Sequence, residues 1–115
     1  NKNIKLELGN VNIYRDWGWA PEYVEAIWLM LQLKKPCDLI IGSGKIFSLK
    51  DFVKEVFKIL KISEKNLKTN VKKFKRKLDI RGYKADIRLT RKILKWQPKI
   101  EFKKIVYKMV KNELF

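Results

Sequence analysis

A chain of 115 residues, 46% hydrophobic and with four Trp, is a single-domain length with enough apolar matter for one modest core, which excludes the disordered and fibrous classes. The formal charge of +16, from 28 Lys and Arg against 12 Asp and Glu, fits either a solvated Lys-rich surface or an anionic partner, and does not choose among nucleic acid, acidic membrane and phosphorylated small molecule. Histidine is absent and Cys37 is the single cysteine, so His-based triads, His general bases, His or Cys-cluster metal sites and intrachain disulfides are all excluded.

Ile4, Leu6 and Leu8 alternate with Lys5 and Glu7, a two-residue period that predicts a half-buried strand ending at Gly9-Asn10. A second short strand is expected over Val11 to Tyr14. Pro21 sits where a first helical residue tolerates a missing amide, and Val24, Ile27, Trp28 and Leu31 recur at helical spacing, so a helix is expected over 21–33, stopped before Pro36. Asp38-Leu39-Ile40-Ile41 reads as a short buried strand running into a turn at Gly42-Ser43-Gly44, with Cys37 in the loop ahead of it. Ser48 and Asp51 have the spacing of a capping box, and Leu49, Phe52, Val53, Val56, Phe57 and Leu60 form the apolar stripe of the helix that follows.

From Ser63 to Lys77 the pattern dissolves into Lys, Asn and Thr, a surface connection with a short strand near Val71. Asp86 is placed to cap a helix carrying Ile87, Leu89, Ile93 and Leu94, and a last helix uses Phe102, Ile105, Val106, Met109, Val110 and Leu114. The outcome is an α/β fold with about four helices and strands too few and too short for a self-sufficient sheet. No apolar run approaches the roughly 18 residues of a membrane span, and Asn1-Lys2-Asn3 has no apolar signal core, so a cytoplasmic location without membrane contact is expected.

Two motifs mislead. Gly42-Ser43-Gly44-Lys45 begins like a dinucleotide loop but lacks the third glycine and the βαβ context, and reads as a turn. Tyr107 and Lys111 have the spacing of a dehydrogenase Tyr-Lys pair, in which Lys lowers the phenol pKa, but they stand on a Lys-rich helix with no cofactor loop upstream, and the match reads as coincidence. Arg15 differs in kind. Its guanidinium offers a fixed fork of donors suited to phosphate, and it lies between a strand and a helix start; the alternative is an Arg paired with Asp16 or stacked on Trp17.

The run Arg15-Asp16-Trp17-Gly18-Trp19-Ala20-Pro21-Glu22-Tyr23-Val24-Glu25-Ala26 resembles the Arg-Asp-Trp-Gly-x-Ala-x-(Asp/Glu)-Tyr-Val-x-Ala signature of the GDP-mannose 4,6-dehydratases, extended short-chain dehydrogenase/reductase enzymes. Leu8-Gly9-Asn10, Trp28-Leu29-Met30-Leu31-Gln32, Ile41-Gly42-Ser43-Gly44, Ser48-Leu49-Lys50-Asp51-Phe52-Val53 and Leu94-Lys95-Trp96-Gln97-Pro98 are similar to further segments of that family, in the same order. Arg76 and Asp79 fall on its Arg-Pro-x-Glu motif. Lys77 departs from the Pro and Asp79 from the Glu, Arg81 stands in place of Asp, Trp19 in place of His and Ala85 in place of Gly.

The resemblance implies the helix-rich carboxyl-terminal, substrate-binding domain of such an enzyme, residues 1–115, without the amino-terminal Rossmann half. It implies Arg15 and Arg76 on the phosphates of GDP-mannose or a related GDP-sugar, Asp79 on the nucleoside and Asn10 lining the pocket. The complete enzyme would oxidise the mannose ring with NADP, eliminate water and return the hydride; this chain alone would carry neither cofactor nor catalytic residues, and would be inactive. The missing Rossmann half is an implied partner, and a homo-oligomer of the full enzyme is compatible with it. A second class of reading is a free-standing basic module gripping single-stranded nucleic acid through Lys68, Lys72, Lys73, Lys75, Arg76 and Lys77 around Phe74, for which one aromatic is a thin stacking platform.

Overall fold

The computed structural model describes residues 5–74, 76, 78 and 80–114, the side chain of Leu114 excepted. Among these, four helices carry the fold: α1 Ala20–Leu31, α2 Leu49–Leu60, α3 Arg88–Leu94 and α4 Phe102–Leu114. Four two-residue strands accompany them: β1 Leu6–Glu7, β2 Tyr14–Arg15, β3 Phe47–Ser48 and β4 Leu67–Lys68. The strands make two separate pairs, β1 parallel to β4 with Leu6 opposite Leu67, and β2 antiparallel to β3 with Arg15 opposite Phe47. The expected helix-rich α/β architecture is therefore present. No described helix is long and apolar enough to cross a membrane.

α2 starts where the sequence predicts because its start is chemically local. Ser48 Oγ accepts the Asp51 N–H at 3.0 Å and the Asp51 carboxylate accepts the Ser48 N–H at 2.9 Å, a complete capping box. Val53 and Phe57 then turn inward against Phe102, Ile105 and Val106 of α4. Trp17 stacks on Phe52 at 4.9 Å and Phe47 on Phe102 at 4.1 Å, closing this half of the core with aromatic rings.

The second half of the core lies between α1 and α3, where Ala26, Leu94 and Trp96 are buried with Leu39 and Ile41 packed against them. Glu22, in the first turn of α1, accepts the backbone N–H groups of Lys99 (2.8 Å) and Ile100 (3.3 Å), and so ties the lead-in of α4 to α1. The whole is flat. Its extents are 56 × 36 × 17 Å and its radius of gyration is 17.3 Å. A compact chain of similar length would have a radius of about 13 Å.

Several sequence expectations are corrected. The second strand falls at Tyr14–Arg15 rather than over 11–14, because Val11 and Ile13 present their carbonyls to Lys50 and Leu49 at the start of α2. α1 ends at Leu31, its last turn tightening through Leu33 N–H to Met30 C=O. Its predicted stripe, Val24, Ile27, Trp28 and Leu31, faces outward; Ala26, Leu29 and Met30 face the core. The run 38–41 forms no strand, since no other described segment pairs with it, and Ile40 is exposed. The strand expected near Val71 is β4 at Leu67–Lys68, and Val71 instead donates its N–H to Leu8 C=O. Ile87, not Asp86, occupies the cap position of α3, while the Asp86 carboxylate accepts the Arg88 N–H and holds the Arg88 guanidinium, which keeps that carboxyl near pKa 2. Ile4 lies outside the described residues.

The capping box yields a prediction. Ser48→Ala should cost about 1 kcal/mol of stability. Hydrogen bonds from the Ser48 hydroxyl, then from its amide, hold the Asp51 carboxyl below its ordinary value. A depressed carboxyl contributes stability that is present above its unfolded pKa and lost as pH falls through the folded one. Melting curves recorded from neutral pH down to about pH 2 should thus show the wild-type and Ser48→Ala stabilities converging below about pH 4; a gap that stays constant to the acid end would remove Asp51 from the cap.

Candidate functional site

The parallel pairing of β1 with β4 brings two distant loops side by side. Leu8 N–H donates to Lys68 C=O at 2.9 Å, Asn70 N–H to Gly9 C=O at 2.8 Å, and Val71 N–H to Leu8 C=O at 3.1 Å. A short turn of 3-10 helix at Lys72–Phe74 follows, and Gly9, Asn10, Ile13, Leu49, Phe74 and Arg76 line a cleft of about 390 Å³, with Gly9 packed so closely on the Phe74 backbone that a Cβ there would collide with it. That volume lies within the usual range for small-ligand sites.

The polar lining of the cleft combines hydrogen-bond donors and a guanidinium with one carboxylate, Glu7, at its edge. Asn10 Oδ1 accepts the Asn12 N–H at 2.9 Å, an Asx turn that fixes the side chain and leaves its NH2 as donor. Arg76 is exposed at the cleft wall. Phe74 offers a half-exposed ring with Lys73 Nζ 4.8 Å from its centre. At the rim, Glu7 binds Lys68 (3.1 Å) and Lys73 (3.4 Å), and these two cations hold its carboxyl below the ordinary value, Lys68 most.

Of the four residues singled out in the sequence, the structure brings Asn10 and Arg76 together. Asp79 lies outside the described residues, as do Lys75 and Lys77. Arg15 stands apart, not lining that cleft: its Nη1 donates to Tyr14 C=O at 2.7 Å and to Ile80 C=O at 3.2 Å. Neither structural alternative for Arg15 holds. The Trp17 ring stacks on Phe52 and its Nε1 donates to Phe47 C=O, and the Asp16 carboxylate is taken by backbone amides. Nη1 makes both Arg15 bonds, and Nε and Nη2 have no acceptor among the described residues, so one edge of the fork is open.

Sequence reasoning missed Asp16. Its Oδ1 accepts the Ser43 N–H at 2.7 Å, and its Oδ2 accepts the N–H of Gly44 at 2.9 Å and of Ala85 at 3.3 Å. The anion held by this glycine turn is the protein's own carboxylate, which explains why the turn begins like a phosphate loop. Gly44 needs its freedom at φ +71°, and a Cβ on Gly42 would collide with the Ala85 methyl. The signal available in the sequence was an acid adjacent to Arg15 and a Gly-Ser-Gly turn, with nothing to say that they meet. The Tyr107-Lys111 pair is a surface contact, Lys111 Nζ lying 5.9 Å from the centre of the exposed Tyr107 ring.

A family profile described as GDP-mannose 4,6 dehydratase matches residues 1–109. GDP-mannose 4,6 dehydratase 1 of Arabidopsis thaliana is 36% identical over 110 residues, covering 96% of this chain and 30% of that protein. The Dictyostelium discoideum GDP-mannose 4,6 dehydratase is 36% identical over 126 residues, covering 95% and 35%. The chain thus spans about a third of the length of the curated relatives it matches. Among solved structures, the fold resembles dTDP-glucose 4,6-dehydratase from Bacillus anthracis in complex with NAD (TM-score 0.81, 19% identity, 94% of this chain and 34% of that one). It also resembles RMD from Pseudomonas aeruginosa complexed with NADPH (TM-score 0.82, 15% identity, 94% and 35%). A profile that runs through both walls of the cleft, the Asp16 clamp and most of α4 leaves one conclusion: the chain belongs to the GDP-mannose 4,6-dehydratase family.

Proposed function

We propose that residues 1–115 form a single sugar-nucleotide-binding unit of a GDP-mannose 4,6-dehydratase, a cytoplasmic lyase that converts GDP-mannose to GDP-4-keto-6-deoxymannose. The observation that carries this reading is the family match across residues 1–109, which includes the cleft where Asn10 and Arg76 meet. In it, Arg76 grips the diphosphate from the cleft, Arg15 offers its open edge to the phosphates from outside that lining, Asn10 donates to the ligand, and Asp79 serves the nucleoside. The substrate is GDP-mannose or a related GDP-sugar, and a homo-oligomer is the working form of the complete enzyme.

The nicotinamide cofactor of the complete enzyme, NADP, belongs to the remaining two thirds. The described residues do not fit it: the one glycine turn that resembles a phosphate loop has its Ser43 and Gly44 amides occupied by Asp16. The purified 115-residue chain should therefore turn over no GDP-mannose. The nucleic-acid reading has no support beyond charge, and two of its cations, Lys68 and Lys73, are paired with Glu7.

GDP titration followed by NMR tests the reading. The Asn10 side-chain amide and the Phe74 ring should shift in a manner that survives physiological salt. Arg76→Ala and Arg15→Lys should each weaken binding by roughly ten- to a hundredfold, the scale of a lost hydrogen bond to a charged group, since Lys keeps the charge but not the fork. Shifts confined to surface lysines and erased by salt would sink it.

A further inference from the structure

Beside the Asp16 clamp, and sharing no residue with the cleft at Asn10 and Arg76, lies a second cavity of about 430 Å³. That is within the range of small-molecule sites, about 300 to 1,000 Å³. Its wall is the clamp itself: Ser43, Gly44 and Ala85, the three residues whose amides Asp16 holds, all line it. Gly44 lies against the side chain of the buried Ile87, and Gly42 against the Ala85 methyl. Two segments distant in sequence thus brace each other, and the wall is set before any ligand arrives.

Four cations line the cavity with it: Lys45 from the glycine turn, Lys84 from the loop before α3, and Arg88 and Arg91 from α3. One carboxylate, Asp86, joins them, and it is already committed, because Arg88 Nε and Nη2 donate to it at 3.0 and 2.6 Å. Arg88 Nη1 has no acceptor among the described residues, and the side chains of Lys45, Lys84 and Arg91 make neither an ion pair nor a hydrogen bond there. Asp16 places a negative charge behind the wall, but three amides already satisfy it. The Ser43 hydroxyl is spent too, exchanging hydrogen bonds of 3.1 Å with the Lys45 backbone. What the cavity offers a ligand is therefore cationic side chains. A lysine alone in solvent is screened within about 8 Å at physiological salt, whereas cations lining one hollow act on the same ligand.

We propose that this cavity is an anion site separate from the nucleotide cleft, and that it takes a small molecule carrying two or more linked phosphates. Arg91 presents a whole guanidinium fork, Arg88 its remaining nitrogen, and Lys45 and Lys84 act as point charges. A lone phosphate satisfies one such fork; cations carried by three segments are engaged together only by a chain of phosphates. The inference goes beyond the dehydratase reading and does not rest on it.

Titration of the 115-residue chain with inorganic tripolyphosphate at physiological ionic strength, followed by amide NMR, is the test. A saturable site should appear, with its largest shifts at Ser43, Gly44, Lys45 and Ala85, and it should persist in Arg76→Ala, where the cleft is weakened. Arg91→Glu and Lys84→Glu should each lower the affinity roughly tenfold, the scale of one hydrogen bond to a charged group. Lys58→Glu, the same change of charge at an exposed position on α2 outside the cavity, should lower it about twofold or less. All three side chains are exposed, so melting curves of the variants should match wild type. ATP distinguishes the two sources of such a ligand: affinity equal to that of tripolyphosphate assigns the site to the phosphate chain alone, and tighter binding with added shifts at Ile87 assigns it to a nucleoside polyphosphate. An equal loss in Lys58→Glu, or shifts spread over the surface lysines without saturation, would reduce the cavity to general surface charge and overturn the proposal. Shifts at Asn10 and Phe74 alone would also overturn it and leave the dehydratase reading standing. Saturable binding at 43–45 by a chain that does not take GDP at Asn10 and Arg76 would do the reverse.

Discussion

Asp16→Asn should destabilise the chain by roughly 3 kcal/mol or more, among the largest effects of any polar substitution in it, because hydrogen bonds to a charged group contribute about 1.5 to 3 kcal/mol each and unsatisfied buried donors carry a further cost. The carboxylate holds three amides from two separate segments: Ser43 on one oxygen, Gly44 and Ala85 on the other. An asparagine in either orientation places its NH2 against at least one N–H, so a donor meets a donor and the clamp opens on that side. The glycine turn and the 80–85 loop then separate, and Arg15, whose Nη1 leans on the Ile80 carbonyl, loses its support. Urea denaturation measures the loss, with the exposed Asp38→Asn as a control expected to stay within about 0.5 kcal/mol of wild type. A change at position 16 no larger than the control's would mean that the three amides find water as readily as carboxylate.

The second large effect is expected at Trp96. Its ring is buried, packs edge-on to Tyr23 at 6.2 Å, and closes the cluster with Ala26 and Leu94. Trp96→Ala should cost about 3 to 5 kcal/mol, from lost burial and the cavity left behind. Against a total of about 5 to 15 kcal/mol for a domain, that is enough to leave a large unfolded fraction at physiological temperature. Trp96→Phe keeps most of the ring and should lose about half as much. Thermal melts of the two variants, read by near-ultraviolet circular dichroism, distinguish this from a peripheral role, for which both substitutions would leave the melting temperature within a degree or two of wild type.

The parts of this fold that could be read from sequence are those whose physics is local. Ser48 and Asp51 announce the start of α2 because both halves of the box lie within one turn, and the stripe from Leu49 to Leu60 identifies the face that carries Val53 and Phe57 inward. The stripe on α1 has the same periodicity and faces the other way. Periodicity locates an apolar face but does not say whether the covering surface is carried by the same molecule. The run 38–41 misled for the same reason: its composition is that of a strand, and pairing is a property of two segments. Of the site, Asn10 and Arg76 were found through a resemblance and meet only because β1 finds β4. Asp16 was out of reach, since its partners stand 27, 28 and 69 positions away and are backbone amides, which have no letter in a sequence.

The pairing of β1 with β4 has a kinetic consequence. Its residues are 61 positions apart and parallel, and only two rungs long, so closing that loop is entropically costly and brings little enthalpy until the intervening helices are in place. The pair is thus among the last contacts to form and the first to fray, helped at the end by the exposed Glu7 ion pairs with Lys68 and Lys73, which salt weakens. Gly9, Asn10, Phe74 and Arg76 come together to line the cleft only after that closure. Any ligand that spans the cleft therefore acts as a staple on a long, weakly paired loop of the chain, and its binding free energy is drawn partly from holding that pairing shut.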